Sequence, residues 1–208
     1  MKIILSIIFI FIVSTSTLSA DSDVDLIKLY KELHLNPELS FKEEKTSKKL
    51  ATILTGLGFE VTENFGGYGV VALLKNGEGK TVMLRADMDG LPVKELTGAS
   101  YASKAKSFNQ VGDEVFTMHA CGHDTHMAIL MATAEILSKN RDFPGTVKFI
   151  FQPAEEGPPK GEEGGARLMI KEGVLNNPDV DAIFGLHISS LLPMNKVYYK
   201  PRGFFASS

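Results

Sequence analysis

Nine consecutive residues, 118–126 (MHACGHDTH), hold three of the chain's five histidines, its one cysteine and an aspartate, and an apolar run, residues 127–137, follows directly. The run has helical length, and the polar cluster before it reads as a loop feeding that helix. Any fold for this chain must therefore carry a histidine-rich loop at one end of a buried helix. Thiolate and imidazole suit borderline-soft divalent ions such as zinc, and carboxylates complete sites that also hold a reactive water.

Around this centre the pattern alternates. Residues 24–34 place Leu26, Ile27, Leu29, Tyr30 and Leu33 on one helix face. Residues 40–43 (SFKE) match a capping box, which predicts a second helix ending near Gly56 or Gly58. Residues 59–65, 69–75 and 81–86 read as strands between glycine-rich turns, 124–139 as a helix, 146–152 as an apolar strand, 165–171 as a short helix and 181–188 as an apolar strand. The expected fold class is α/β, a layered sheet with strands buried on both faces.

In such sheets functional residues gather beyond the carboxyl ends of strands. Asp87 and Asp89 follow the third strand, Glu155 and Glu156 follow the strand ending at Gln152, and His187 closes the last strand. One cleft is expected to hold them all. The glycine- and glutamate-rich residues 157–165 read as a loop at its edge.

Cys121 stands two residues from His123, so one ion would meet a thiolate and an imidazole on the loop entering the helix; the alternative is a buried structural cysteine. Neighbouring carboxylates after a strand point in different directions, so one of Glu155 and Glu156 can bind metal while the other moves protons; the alternative is a solvated acidic turn. Asp87 and Asp89 suit either an outer role, accepting an imidazole N–H, or capping of the turn before Pro92. His119 and His126 fit either support of the site or ordinary packing, and His34 reads as structural.

Five segments carry a family resemblance: residues 33–41 (LHLNPELSF), 85–92 (RADMDGLP), 119–124 (HACGHD), 151–157 (FQPAEEG) and 184–187 (FGLH). In this order and spacing the chain resembles the metal-dependent amidohydrolases that include hippurate hydrolase, bacterial N-acyl-amino-acid amidohydrolases and plant indole-acetyl-amino-acid hydrolases. The resemblance implies a zinc-exopeptidase-type α/β/α sheet and two divalent ions, zinc or manganese, with cobalt or nickel as further options. It implies Cys121 as bridging ligand, His123, Glu156 and His187 as further ligands, Glu155 as general base, and Asp89, with Asp87, in the outer layer of the site. The implied reaction is hydrolysis of the amide of an N-acyl or N-aroyl amino acid.

In that family an inserted lid or dimerisation domain follows the segment matching residues 184–208, and the chain then returns to complete the catalytic domain. The expectation is a chain carrying only the first part of such an enzyme, inactive alone, with oligomerisation belonging to the longer form. Two rivals stand beside it: a non-catalytic remnant with partial metal binding, and a cysteine hydrolase with Cys121 as nucleophile. A zinc deaminase needs a Pro-Cys-x-x-Cys element that one cysteine cannot supply.

Residues 1–20 open with Met1-Lys2, continue through an apolar run at 3–13 and a polar stretch, and end at Ala20. They read as a secretory signal peptide, with 21–208 as the exported part, although Leu18 is an imperfect residue three places before the cut. An uncleaved anchor is the alternative, but the run is shorter than the roughly 20 apolar residues a membrane span needs. The formal net charge of −3, with no basic block, argues against nucleic acid and membrane surfaces as partners, and the resemblance implies a small-molecule N-acyl amino acid as substrate.

Overall fold

The computed structural model describes residues 24–198, so the leader expected at residues 1–20 lies outside the described residues. Helix α1, Leu26–Leu35, starts where the Asp25 carboxylate accepts the Lys28 N–H at 2.9 Å, and it buries Leu29 and Leu33. Helix α2, Glu44–Gly56, buries Leu50, Ala51 and Leu54.

The expected capping box is not what starts α2. Glu38 reaches forward instead, accepting the Thr46 N–H at 2.8 Å and the Thr46 hydroxyl at 2.9 Å. The two residues of the expected box are engaged elsewhere: Ser40 donates to Asp89 at 2.6 Å, and Glu43 accepts the Ala154 N–H at 2.8 Å.

The strands are β1 (Glu60–Phe65), β2 (Gly69–Asn76), β3 (Thr81–Asp87), β4 (Lys106–Phe108), β5 (Glu114–Phe116), β6 (Gly145–Gln152) and β7 (Ala182–Gly185). Five form one sheet in the order β1-β2-β6-β3-β7. The β1/β2 and β2/β6 pairs are antiparallel; β3 runs parallel to both β6 and β7. Helices α3 (His123–Lys139) and α4 (Gly165–Lys171) complete the layers. One face packs Phe149 and Phe151 with residues of α1, α2 and α3, and the other packs Met83 and Ile150 against Met169 and Val174.

Burial on both faces holds for the central strands and fails at the edges. In β7, Ile183 is 53% exposed and Phe184 62%. This strand is also shorter than expected, ending at Gly185; just before it, Asp181 donates its N–H to the Thr81 carbonyl and accepts the Thr81 N–H with its carboxylate, both at 2.9 Å. The β4–β5 hairpin had no clear alternation to reveal it; its turn is set by Asn109, whose side chain accepts the N–H groups of Val111 and Asp113 at 3.0 and 2.8 Å.

One lysine is buried inside the otherwise apolar β6. Lys148 donates to the carbonyls of Val174, Asn176 and Pro178 at 3.0, 2.8 and 3.0 Å, which ties the turn after α4 to the sheet. Burial lowers its pKa, partly offset by Asp179.

Sheet register positions the site. Asp87 pairs with Gln152 across β3/β6, and Arg85 pairs with Gly185 across β3/β7, so three parallel strands end side by side. The carboxylates after β3 and β6 and the histidine after β7 therefore emerge at one edge, where the loop into α3 also arrives.

Candidate metal centre

His123 opens α3 and is fully buried. Its Nε2 faces Asp87 at 3.6 Å, Glu155 at 3.7 Å and Glu156 at 3.7 Å, while Nδ1 faces Asp89 at 3.4 Å. Neither ring nitrogen has a hydrogen-bond partner, and neither does the buried Oε1 of Glu156. One donor atom each from Cys121, His123 and His187 lies within 4.8 Å of the others, and the same holds for His123, Glu155 and Glu156. The Cys121 thiol stands 3.4 Å from His187 Nε2.

The residues named from sequence are thus brought together, with His123 common to both groups. Buried polar atoms without partners are costly, by roughly 1–3 kcal/mol each. A cation among them would satisfy His123 Nε2 and Glu156 Oε1 together. Thiol, imidazole and carboxylate are the donor set such an ion takes, so the residues fit a divalent metal.

Without a cation the surroundings oppose thiolate formation. Burial first, then the charge of Glu156 and a hydrogen bond to it, push the Cys121 thiol up to about 12. A cysteine nucleophile needs the reverse, a site that stabilises its anion. A bound cation inverts this local balance. Burial also raises the Glu155 pKa, and Asp87 adds to the effect.

The outer layer is hydrogen-bonded. Burial opposes ionisation of Asp87, but bonds from His126 at 2.7 Å and Arg85 at 2.7 Å hold its carboxyl well below the usual carboxylate range. His126 Nε2 in turn accepts the Ile188 N–H at 2.9 Å. With Nδ1 donating and Nε2 accepting, the tautomer of His126 is set and both nitrogens are used. It supports the site by anchoring the residue after His187.

Gly122 makes that anchoring possible. Its φ is +91°, and a Cβ there would stand 2.3 Å from Ile188 Cδ1.

Asp89 does more than face His123. Its Oδ2 accepts the Glu156 N–H at 3.0 Å and the Ser40 hydroxyl at 2.6 Å. Sequence reasoning missed Ser40 and Glu43, because a serine and a glutamate before a helix look like caps. His34, read as structural, lies between Asp124 at 2.6 Å and Glu95 at 3.1 Å and links α1 to the first turn of α3. His119 is buried with no hydrogen-bond partner on either nitrogen, and burial lowers its pKa to about 4.

A cavity of about 450 Å³ opens beside Glu156, with Leu39, Leu91, Pro92, Phe108 and Val111 among its walls. Its cation, Lys42, donates to the Phe108 carbonyl at 2.6 Å.

Comparison with known proteins gives this arrangement a context. A family model described as peptidase family M20/M25/M40 matches residues 83–201. Thermostable carboxypeptidase 2 of Saccharolobus solfataricus is 48% identical over 171 residues, 81% of this chain and 40% of that protein. Hippurate hydrolase of Campylobacter jejuni is 41% identical over 182 residues, 87% of this chain and 44% of its own length. Among solved structures, an aminohydrolase described as putative from methicillin-resistant Staphylococcus aureus superposes with a TM-score of 0.74 at 43% identity, covering 85% of this chain and 42% of that one. A Bacillus subtilis protein described as a dinuclear metal binding peptidase gives a TM-score of 0.69 at 41% identity, covering 81% of this chain and 43% of that one. The chain spans about two fifths of the length of these relatives. A matching family model over more than half the residues, and solved relatives that share both the sheet and this level of identity, lead to one conclusion: the chain belongs to peptidase family M20/M25/M40.

Proposed function

We propose that this chain supplies the metal centre and the general base of an amide hydrolase acting on N-acyl or N-aroyl amino acids. The observation that carries the reading is the convergence of Cys121, His123, Glu155, Glu156 and His187 at one sheet edge, with the buried Nε2 of His123 turned toward the carboxylates. Cys121, His123 and Glu156 would hold one ion, and Cys121 and His187 a second, with zinc or manganese the expected metals. Bound there, the ions would polarise the amide carbonyl and acidify a water.

Glu155 is then the proton carrier. It takes a proton from the attacking water and delivers it to the leaving nitrogen, and its raised pKa suits both halves of that task. Asp87 holds the His126 imidazole, and Asp89 holds the backbone N–H of Glu156 beside it. The cavity beside Glu156 suits the acyl half of the substrate, because Leu39, Leu91, Pro92, Phe108 and Val111 give it a largely apolar wall. Relatives named hippurate hydrolase and N-acetylcysteine deacetylase support the N-acyl class.

Turnover by this chain alone is expected to be slow or absent. With His123 assigned to the first ion, as the family resemblance implies, the second keeps only Cys121 and His187 among the described residues, and divalent sites generally use at least three ligands. A non-catalytic remnant with partial metal binding is therefore the alternative for the isolated chain. We also propose export, with the leader at residues 1–20 removed; intact mass of protein from the secreted or periplasmic fraction should then show a chain beginning near Asp21, whereas a full-length chain in the cytoplasm contradicts it.

The test is an assay with hippurate and N-acetyl amino acids in the presence of manganese or zinc, on this chain and on a form lengthened to the span of its relatives. Turnover is expected in the long form and should vanish in its Glu155→Gln variant while metal content stays. Hydrolysis that survives Glu155→Gln contradicts the role of that residue, and comparable turnover by the short chain contradicts the need for further ligands.

A further inference from the structure

The turn carrying Glu155 and Glu156 is held from the far side of the site. Glu43, fully buried just before α2, accepts the Ala154 N–H at 2.8 Å. One residue beyond Glu155, the Glu156 N–H is taken by Asp89 at 3.0 Å, and Ser40 braces that carboxylate at 2.6 Å. Two buried carboxylates thus grip the backbone amides on either side of Glu155, and the segment 40–43 contributes to both grips. Ala154 has φ +47°, a left-handed conformation that a non-glycine residue keeps only when its surroundings impose it, at a cost of roughly 1–3 kcal/mol.

We infer that Glu43 is a positioning residue for the metal centre: through its hydrogen bond to Ala154 N–H it holds the turn in the strained form that directs Glu155 and Glu156 toward His123. Glu43 stands at the N-cap of α2, but its side chain makes no capping hydrogen bond there. The Glu38 carboxylate already caps the first amides of α2, so the burial of Glu43 is unexplained by helix capping. Its Oε2 is buried without a partner, a cost that helix formation does not require. The inference rests on the reading of Glu156 as a metal ligand.

The test compares three variants with the wild-type chain. Glu43→Met keeps the volume and removes the acceptor, Glu43→Gln keeps an acceptor, and Leu54→Ala perturbs the core far from the turn. Zinc affinity is measured by competition with a chromophoric chelator, and backbone order by amide exchange at Ala154. Glu43→Met should weaken zinc binding about tenfold, as loss of a ligand-orienting group does. It should also speed exchange of the Ala154 amide. Glu43→Gln should restore both to the wild-type range, and Leu54→Ala should lower the melting temperature with zinc affinity retained.

Wild-type zinc affinity in Glu43→Met, or equal weakening in Leu54→Ala, overturns the inference. Should Glu43→Met fail to fold, Glu43→Asp, which retracts the carboxyl by one methylene, carries the same expectation. If the wild-type chain itself binds no zinc, the metal reading fails separately, and unchanged Ala154 protection in Glu43→Met then overturns the positioning role by itself.

Discussion

Asp87 accepts a hydrogen bond from His126 Nδ1 at 2.7 Å, and this one contact connects the end of β3 to the loop that carries His187. His126 passes the constraint on, because its other nitrogen takes the Ile188 N–H. Replacing His126 by Ala should therefore lower zinc affinity, although His126 has no free nitrogen to act as a ligand. Loss of the buried acceptor should also reduce stability by about 1–3 kcal/mol in urea unfolding. Unchanged zinc affinity in a folded His126→Ala variant would show that His187 needs no such anchor.

His34 predicts a pH dependence. Burial disfavours its charge, but hydrogen bonds to Asp124 and Glu95 outweigh burial and raise its pKa above the ordinary 6.5. Only the imidazolium donates to a carboxylate from both nitrogens. A raised folded pKa means the folded state holds the proton more tightly, so the stabilisation is complete below 6.5 and is lost as the pH rises through the folded value. The stability difference between wild type and His34→Gln should shrink over that rise. A constant difference would mean that His34 stays neutral.

Glu43 predicts a dependence of its own. Burial, partly offset by the Ala154 N–H, raises its pKa from 4.5 to about 7. Between these values the unfolded chain has released a proton that the folded chain keeps, so stability falls as the pH climbs from 4.5 toward 7, by on the order of 3 kcal/mol if this group acts alone. Glu43→Gln should flatten that part of the unfolding profile, and an unaltered slope would place the titration elsewhere.

Lys148→Met should destabilise the fold by about 2 kcal/mol or more, because three carbonyls lose one buried donor. Chemical denaturation measures it. A neutral substitution would show that the turn at Val174–Pro178 is held by packing alone.

Much of this architecture was legible because hydrophobic periodicity reports burial. The boundaries of α4 and the run of β6 follow directly from it, and the placement of Asp87, Glu155 and His187 at strand ends follows from the alternation of strands and helices. What stayed hidden depended on side chains reaching across the chain. Ser40 and Glu43 have the spacing of a capping box, yet their partners, Asp89 and Ala154, lie far along the sequence. Lys148 looks out of place in an apolar strand until the carbonyls after α4 arrive. His126 could not be distinguished from packing, since the Ile188 N–H that gives it a role depends on the path of the chain after β7. The exposure of Ile183 and Phe184, on opposite faces of β7, goes with its position at the edge of the described sheet, which hydrophobic content alone does not report.

The central claim is a divalent metal centre built on Cys121, His123 and Glu156, and elemental analysis of the purified chain after exposure to zinc and dialysis tests it most directly. The account predicts about one tightly held ion per chain, because one position has three protein ligands, and predicts that Cys121→Ser and Glu156→Gln each reduce that content. Zinc bound equally by the wild type and both variants, or by none of them, would contradict it.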